Sequence, residues 1–228
     1  MNLNTKSAAD RTFDAIVIGS GLSGGWAAKE LTEKGLTVLM IERGHQLEHI
    51  KGYKTAMEQP WKFKHRGQIT EEQRKTHEFL SRDYPYSEYN ASYWFKDSDA
   101  PYEEKQEFDW FRPDIVGGKS IMWGRQSYRW SDLDFGANAA DGHGNDWPIR
   151  YKDIEPWYEY VEKFAGISGQ KEGYAPLPES VFMPPMEMNC VEKEVKKGIE
   201  ANFKNRIMTI GRVANITQPH NGRGSCQY

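Results

Sequence analysis

The stretch Phe13-Asp-Ala-Ile-Val-Ile-Gly-Ser-Gly-Leu-Ser-Gly-Gly25 decides the fold. Its first six residues form a short apolar run bounded by glycine, the pattern of a strand buried on both faces of a parallel sheet. Glycine then recurs at 19, 21 and 24. The first permits a tight turn out of the strand, the second lets the backbone come close to a pyrophosphate, and the third lets the next helix pack against the sheet. Ala27, Ala28 and Leu31 continue at helical spacing to Lys34-Gly35, where glycine supplies a C-cap, and Thr37 to Ile41 reads as a second buried strand. Strand, helix and strand in this short span make a βαβ unit.

A lone glycine pattern of this kind is a weak signal, but here its context is in register. Glu42 stands 18 residues past Gly24 at the end of the second strand, where a carboxylate can accept both hydroxyls of a ribose. The N-terminus of the helix offers free N–H groups and the positive end of its dipole, so a diphosphate needs no lysine there. The residues expected to hold an ADP moiety are Gly19, Ser20, Gly21, Leu22, Ser23, Gly24, Glu42 and Arg43. An acid at 42 argues against a 2′-phosphate and hence against NADP, an argument that the neighbouring Arg43 weakens. NAD and FAD share the ADP moiety, so the motif alone does not choose between them.

A second glycine-rich element, Asp114-Ile-Val-Gly-Gly-Lys-Ser-Ile-Met-Trp-Gly-Arg125, bears on that choice. Paired glycines let main chain approach a flat ligand, and N–H groups and the Ser120 hydroxyl can bond its polar edge. Between the two elements, residues 45–112 mix charges and aromatics without a sustained period; the reading is a long excursion over the sheet with one helix near Thr70 to Ser81. Past Trp147-Pro148, the spacing of Ile154, Trp157, Tyr158, Val161 and Phe164 predicts an amphipathic helix stopped by Gly166, with Trp157, Tyr158 and Phe164 on its core face. Val191, Val195, Ile199 and Phe203 form a second stripe. Pro176, Pro178, Pro184 and Pro185 mark an extended connection between them.

Composition excludes more than it assigns. The chain of 228 residues, 38% hydrophobic, is long enough for a core with an appended subdomain. Its 30 basic and 33 acidic residues nearly cancel, and no Lys/Arg block is present, so neither nucleic acid nor an anionic lipid surface is an expected partner. No apolar run approaches the roughly 20 residues of a membrane span, and Met1 to Phe13 lacks the apolar core of a secretory signal. Cys190 and Cys226 supply neither a disulfide framework nor a metal-ligand spacing. Asp132, Asp134, Asp141 and Asp146 read as turn and cap residues rather than a metal site. The aromatic richness, with 8 Trp and 12 Tyr, reads mainly as packing under the excursion rather than as sugar stacking.

Taken together, Gly19-Ser-Gly-Leu-Ser-Gly-Gly25, Glu42-Arg-Gly44, Val116-Gly-Gly-Lys-Ser-Ile-Met-Trp-Gly124 and Trp147-Pro-Ile-Arg-Tyr-Lys-Asp-Ile-Glu-Pro-Trp-Tyr158 resemble the glucose-methanol-choline (GMC) family of FAD-dependent oxidoreductases, in its branch of bacterial sugar and sugar-acid dehydrogenases and pyranose-oxidase-like enzymes. The resemblance implies an α/β fold, a Rossmann-like FAD/NAD(P)-binding domain with long irregular excursions and part of a second, mixed α+β domain. It implies segments 1–44 (first βαβ), 45–112 (excursion), 113–150 (flavin-side loop) and 151–228 (helical connection and start of a substrate domain). By the same resemblance Gly117, Gly118, Ser120, Met122, Trp123 and Gly124 lie along the ribityl chain and isoalloxazine ring. Some members attach flavin to a histidine in this motif, and Met122 and Trp123 occupy that neighbourhood here, so the FAD is expected to be noncovalent.

The implied chemistry is oxidation of a CH–OH group of a sugar or sugar derivative, with a base taking the hydroxyl proton and hydride passing to flavin N5. None of His45, His49, His65, His77, His143 and His220 has the context of the family's basic histidine. The catalytic residues are therefore expected beyond Tyr228, where Gly222-Arg-Gly-Ser-Cys226 reads as the start of a cysteine-containing segment whose role stays open. A quinone or cytochrome acceptor is implied over dioxygen, and a small partner subunit carrying the enzyme to the periplasm occurs in some members; without a signal the cytoplasm is the default. The alternatives are another FAD-binding enzyme, such as an amine oxidase or a non-redox flavoprotein, and a Rossmann-type nucleotide-binding scaffold without catalysis. The scaffold has no need of the second glycine element, Trp147 to Tyr158 disfavours an amine oxidase, and the lack of a Cys-x-x-x-x-Cys pair disfavours a disulfide reductase.

Overall fold

In the computed structural model, residues 11–99 and 102–226 are described. Residues 1–10 of the segment expected to open the chain, and Tyr228, beyond which catalytic residues are expected, lie outside them. The chain divides into two compact units, 1–123 and 124–228, a boundary that falls inside the expected flavin-side segment 113–150.

In the first unit, β1 (Ala15–Ile18) and β2 (Val38–Ile41) pair in parallel with Ala15 opposite Val38 and Ile18 opposite Ile41. The connecting helix α1 (Leu22–Glu33) ends at Lys34, and Gly35 takes a positive φ of 86°, the left-handed conformation that glycine adopts without a Cβ penalty. The Rossmann-like start expected from the glycine pattern is thus present. The expectation of strands buried on both faces is corrected: Val17 is buried, whereas Ile16 and Ile18 are 62% and 84% exposed. The physical reason is that the sheet of the described residues has two strands and α1 as its packed helix, which covers one side only.

After β2 the chain runs beside the second glycine element, with His45 bridged to Ile115. Gly44 allows this approach, since a Cβ there would sit 2.5 Å from the Ile115 nitrogen; Ile115 itself is 1% exposed. The excursion that follows holds helix α2 (Glu71–Thr76), a short helical turn over Leu80–Arg82 and its own aromatic core of Leu80, Tyr86 and Trp94. Thr70 starts α2 through a capping box with Gln73. Asn90 ties the core's polar atoms together, accepting from the Ser87 N–H at 2.9 Å and the Trp94 indole at 3.2 Å. The reading of aromatics as packing holds for Tyr86, Trp94 and Phe95 but not for Trp61 and Tyr84, which are exposed.

The second unit contains α3 (Asp132–Phe135), α4 (Ala137–Asp141), α5 (Tyr151–Ala165) and α6 (Cys190–Asn202). Gly166 ends α5 with φ of 82°, as its place after the stripe predicts. Asp134 completes the capping box of Ser131, Asp132 accepts from the Tyr151 N–H and Asp146 pairs with Arg150, so these carboxylates serve turns and caps. The core face expected of α5 is corrected. Trp157 and Phe164 are exposed, and the residue of α5 that is buried is Glu162. Its carboxylate receives the Arg129 guanidinium at 2.5 Å and the Ser180 hydroxyl, while Arg129 also donates to the Tyr151 hydroxyl at 2.7 Å. This pairing holds the Arg129 pKa above its ordinary value: burial works against the charge, and Glu162 and Tyr151 overcome it.

Candidate dinucleotide site

The first glycine element places its residues as the pattern requires. Gly19 has φ of 90°, at the turn out of β1. A Cβ on Gly24 would overlap the Gly19 carbonyl oxygen and come within 3.3 Å of Val17, so this glycine is what lets α1 seat on the strand. At Gly21, by contrast, a Cβ would meet nothing within 4 Å. The third glycine serves internal packing; the second faces open space. Helix α1 begins at Gly21 with no side-chain cap and no acid in its first turn, which leaves its terminal N–H groups and dipole available to an anion.

The two glycine elements are joined through a side-chain network. Ser20 donates to Glu42 Oε2 from both its N–H and its hydroxyl, each at 2.7 Å, and the Gly44 N–H donates to Oε1 at 2.8 Å. The Gly117 N–H in turn donates to Ser20 Oγ at 2.8 Å, across 97 residues of sequence. Gly117 and Gly118 have φ of 93° and 56°, and a Cβ on Gly118 would come 3.6 Å from Gly21 Cα. Gly118 and Gly21 thus face each other beside the Gly117–Ser20 hydrogen bond. Partial burial works against ionised Glu42, but the N–H groups of Gly44, Ser20 and Arg43 and the Ser20 hydroxyl outweigh it and hold the carboxyl below its usual range. The three short hydrogen bonds from Ser20 and Gly44 take three of the roughly four acceptor positions of a carboxylate, and the Arg43 N–H leans on the fourth, which a ribose hydroxyl would share.

The remaining expected residues divide. Ser120 donates to the Gly117 carbonyl at 2.6 Å, closing the turn that begins at Gly117, and Met122 packs against the Leu80, Tyr86 and Trp94 core. Trp123 is 37% exposed, and Gly124 falls in the second unit. Arg43 pairs with Asp114 at 3.2 Å and lies 3.9 Å over the Phe95 ring. Sequence reasoning missed Ser20 as the hub and Gly44 as the residue that admits Ile115; the only prior signal was their position beside motif glycines. Two cavities lie elsewhere, in the excursion and beside α6.

Glu42→Gln is expected to lower the stability of the first unit by about 2 kcal/mol near neutral pH, since hydrogen bonds to a charged acceptor contribute about 1.5–3 kcal/mol each and the group is only partly buried. Because the folded-state pKa is depressed, this contribution is complete above the unfolded value of about 4.3 and is lost as pH falls through the folded one. Urea denaturation at about pH 7 and about pH 4 checks this: the gap between wild type and variant should shrink at the lower pH.

A parallel βαβ unit with three-glycine turn, uncapped helix start and terminal acid is a Rossmann-like dinucleotide-binding element. Residues 17–82 match the profile of the NAD(P)-binding Rossmann-like domain. The chain is similar to the 6'''-hydroxyparomomycin C oxidase of Streptomyces lividus, 30% identical over 164 residues, which cover 71% of this chain and 24% of that protein. It is also similar to the paromamine 6'-oxidase of Streptomyces fradiae (29% identical, 72% and 25% covered) and the fructose dehydrogenase large subunit of Gluconobacter japonicus (25% identical, 68% and 27% covered). The chain thus spans about a quarter of the length of the curated relatives it matches. No helix among the described residues is long and apolar enough to cross a membrane.

Proposed function

We propose that this protein is an FAD-dependent oxidoreductase acting on a CH–OH group of a sugar or sugar derivative, with the flavin held noncovalently. The observation that carries the reading is the Gly117 to Ser20 to Glu42 network, which sets a second glycine-rich turn against the ADP-type loop. The redox ring beyond the pyrophosphate must be held as well as the ADP end, and the paired glycines at 117 and 118 let main chain approach a flat ring of the flavin kind. In this reading the α1 N-terminus and Gly21 receive the pyrophosphate, Glu42 shares its fourth acceptor position with the ribose, and Gly117, Gly118 and Ser120 line the path to the ring. FAD, when bound, supplies the hydride acceptor at N5. The chain's own residues bind and orient: Ser20 fixes the spacing of the two turns, and the glycines at 117 and 118, having no Cβ, leave the gap between them open. The three relatives are named as oxidases or dehydrogenases of sugar-type compounds, which supports the substrate class. A quinone or cytochrome acceptor, a partner subunit and the four-segment domain scheme belong to the same proposal.

The test is direct. After incubation with FAD and gel filtration, visible flavin absorption should comigrate with the chain, and acid precipitation should release it to the supernatant. Gly21→Ala should lower the melting temperature by only a few degrees, the cost of a poorer N-cap with nothing within 4 Å of the new Cβ, yet weaken FAD binding about tenfold or more by filling space meant for the pyrophosphate. A chain that binds NAD but stays colourless with FAD would sink the flavin reading.

A further inference from the structure

The excursion contains a cavity of about 410 Å³ that the dinucleotide site does not use. Three arginines, Arg66, Arg74 and Arg82, line it against a single acid, Asp83. Arg82 pairs with Asp109 at 3.1 Å and Arg74 reaches Glu71 only at 3.7 Å. Arg66 has no acidic partner among the described residues, and its backbone sits at φ of 53° between His65 and Gly67, which are also left-handed. Holding two consecutive non-glycine residues there costs energy that the surroundings must offset. Tyr86 and Ser87 form part of the same wall; they are 6% and 8% exposed, and neither hydroxyl has a hydrogen-bond partner among the described residues. Buried hydroxyls are normally satisfied, so two unsatisfied ones in one wall point to a missing acceptor or donor. Phe63 and Tyr89, with ring centroids 5.3 Å apart, add an apolar side.

We propose that this cavity binds a small organic anion, a carboxylate or phosphate carried on a flat or apolar body. The volume falls in the range of small-molecule sites, guanidinium groups match planar carboxylate and phosphate geometry in bidentate fashion, and the rings of Phe63 and Tyr89 receive the body. Tyr86, which lines the cavity, belongs to the core against which Met122 of the second glycine element packs. A ligand that orders Tyr86 therefore reaches the flavin-side turn through one layer of side chains. The anion site is built from residues of the excursion and is independent of which dinucleotide the chain holds.

Isothermal titration of the full chain with phenyl phosphate, benzoate and benzyl alcohol tests it. Phenyl phosphate or benzoate should bind, more weakly as NaCl is raised, and the stronger of the two identifies the anion; benzyl alcohol should bind at least about tenfold more weakly, having lost the charge-assisted bonds. Arg66→Asn, which tolerates the left-handed backbone, and Arg74→Gln should each weaken anion binding about tenfold, and Tyr86→Phe severalfold. Both arginines are exposed, and circular dichroism should show these variants folded. Equal affinity for benzyl alcohol, unchanged affinity in Arg66→Asn and Arg74→Gln, or no binding of either anion would overturn the proposal.

Discussion

Gly24→Ala is expected to destabilise the first unit by about 3 kcal/mol and to abolish dinucleotide binding. In a helix interior alanine ordinarily stabilises relative to glycine by up to about 1 kcal/mol, so propensity alone gives the opposite sign. Packing decides the matter: the added methyl would overlap the Gly19 carbonyl, stand 2.9 Å from its carbon and press on Val17 at 3.3 Å. These are backbone atoms and a buried strand residue, which cannot swing away, so α1 must lift from β1. Gly25→Ala is the matched control. The nearest atom to its new methyl is the Ser20 oxygen at 4.0 Å, and stability should stay level or rise. Thermal denaturation of the two variants, read beside wild type, should show a fall of roughly 10 °C for the first and none for the second.

Glu162→Ala is expected to destabilise the second unit by about 3–5 kcal/mol, the usual result of removing one partner of a buried ion pair. The Arg129 side chain is 1% exposed and would be left charged with no carboxylate, beside only the Tyr151 hydroxyl and the Tyr158 ring among the described residues, and the Ser180 hydroxyl would lose its acceptor. The effect belongs to the lost compensation rather than to the worth of the pair. Replacing both partners by apolar residues, Arg129→Met with Glu162→Leu, should therefore recover most of the loss. Denaturant titrations of the single and double variants check this; equal destabilisation of both would show that packing volume, not unpaired charge, dominates there.

The contrast between these two residues shows where the sequence was legible. Gly24 was assigned its role, letting helix meet strand, from spacing alone, because the βαβ turn is a local structure whose steric demands recur wherever it forms. Glu162 went unread. It lies on α5 beside Val161, and helical periodicity assigned burial to Trp157, Tyr158 and Phe164; nothing local indicates that Arg129, 33 positions earlier, would meet a carboxylate there.

Along the chain by itself, therefore, the residues determined β1, α1, β2, the glycine turns, the acid at the end of β2, the presence of α5 and α6, and the stop of α5 at Gly166. These depend on backbone sterics and short-range periodicity, which neighbouring residues supply. Only the tertiary structure decided that Ser20 joins Glu42 to Gly117, that Gly44 admits Ile115, that Glu162 rather than its aromatic neighbours is buried, and that three arginines of the excursion share a cavity. Each of these is a contact between segments distant in sequence, and its energy comes from desolvation and hydrogen bonding of groups that become neighbours only when the chain is folded.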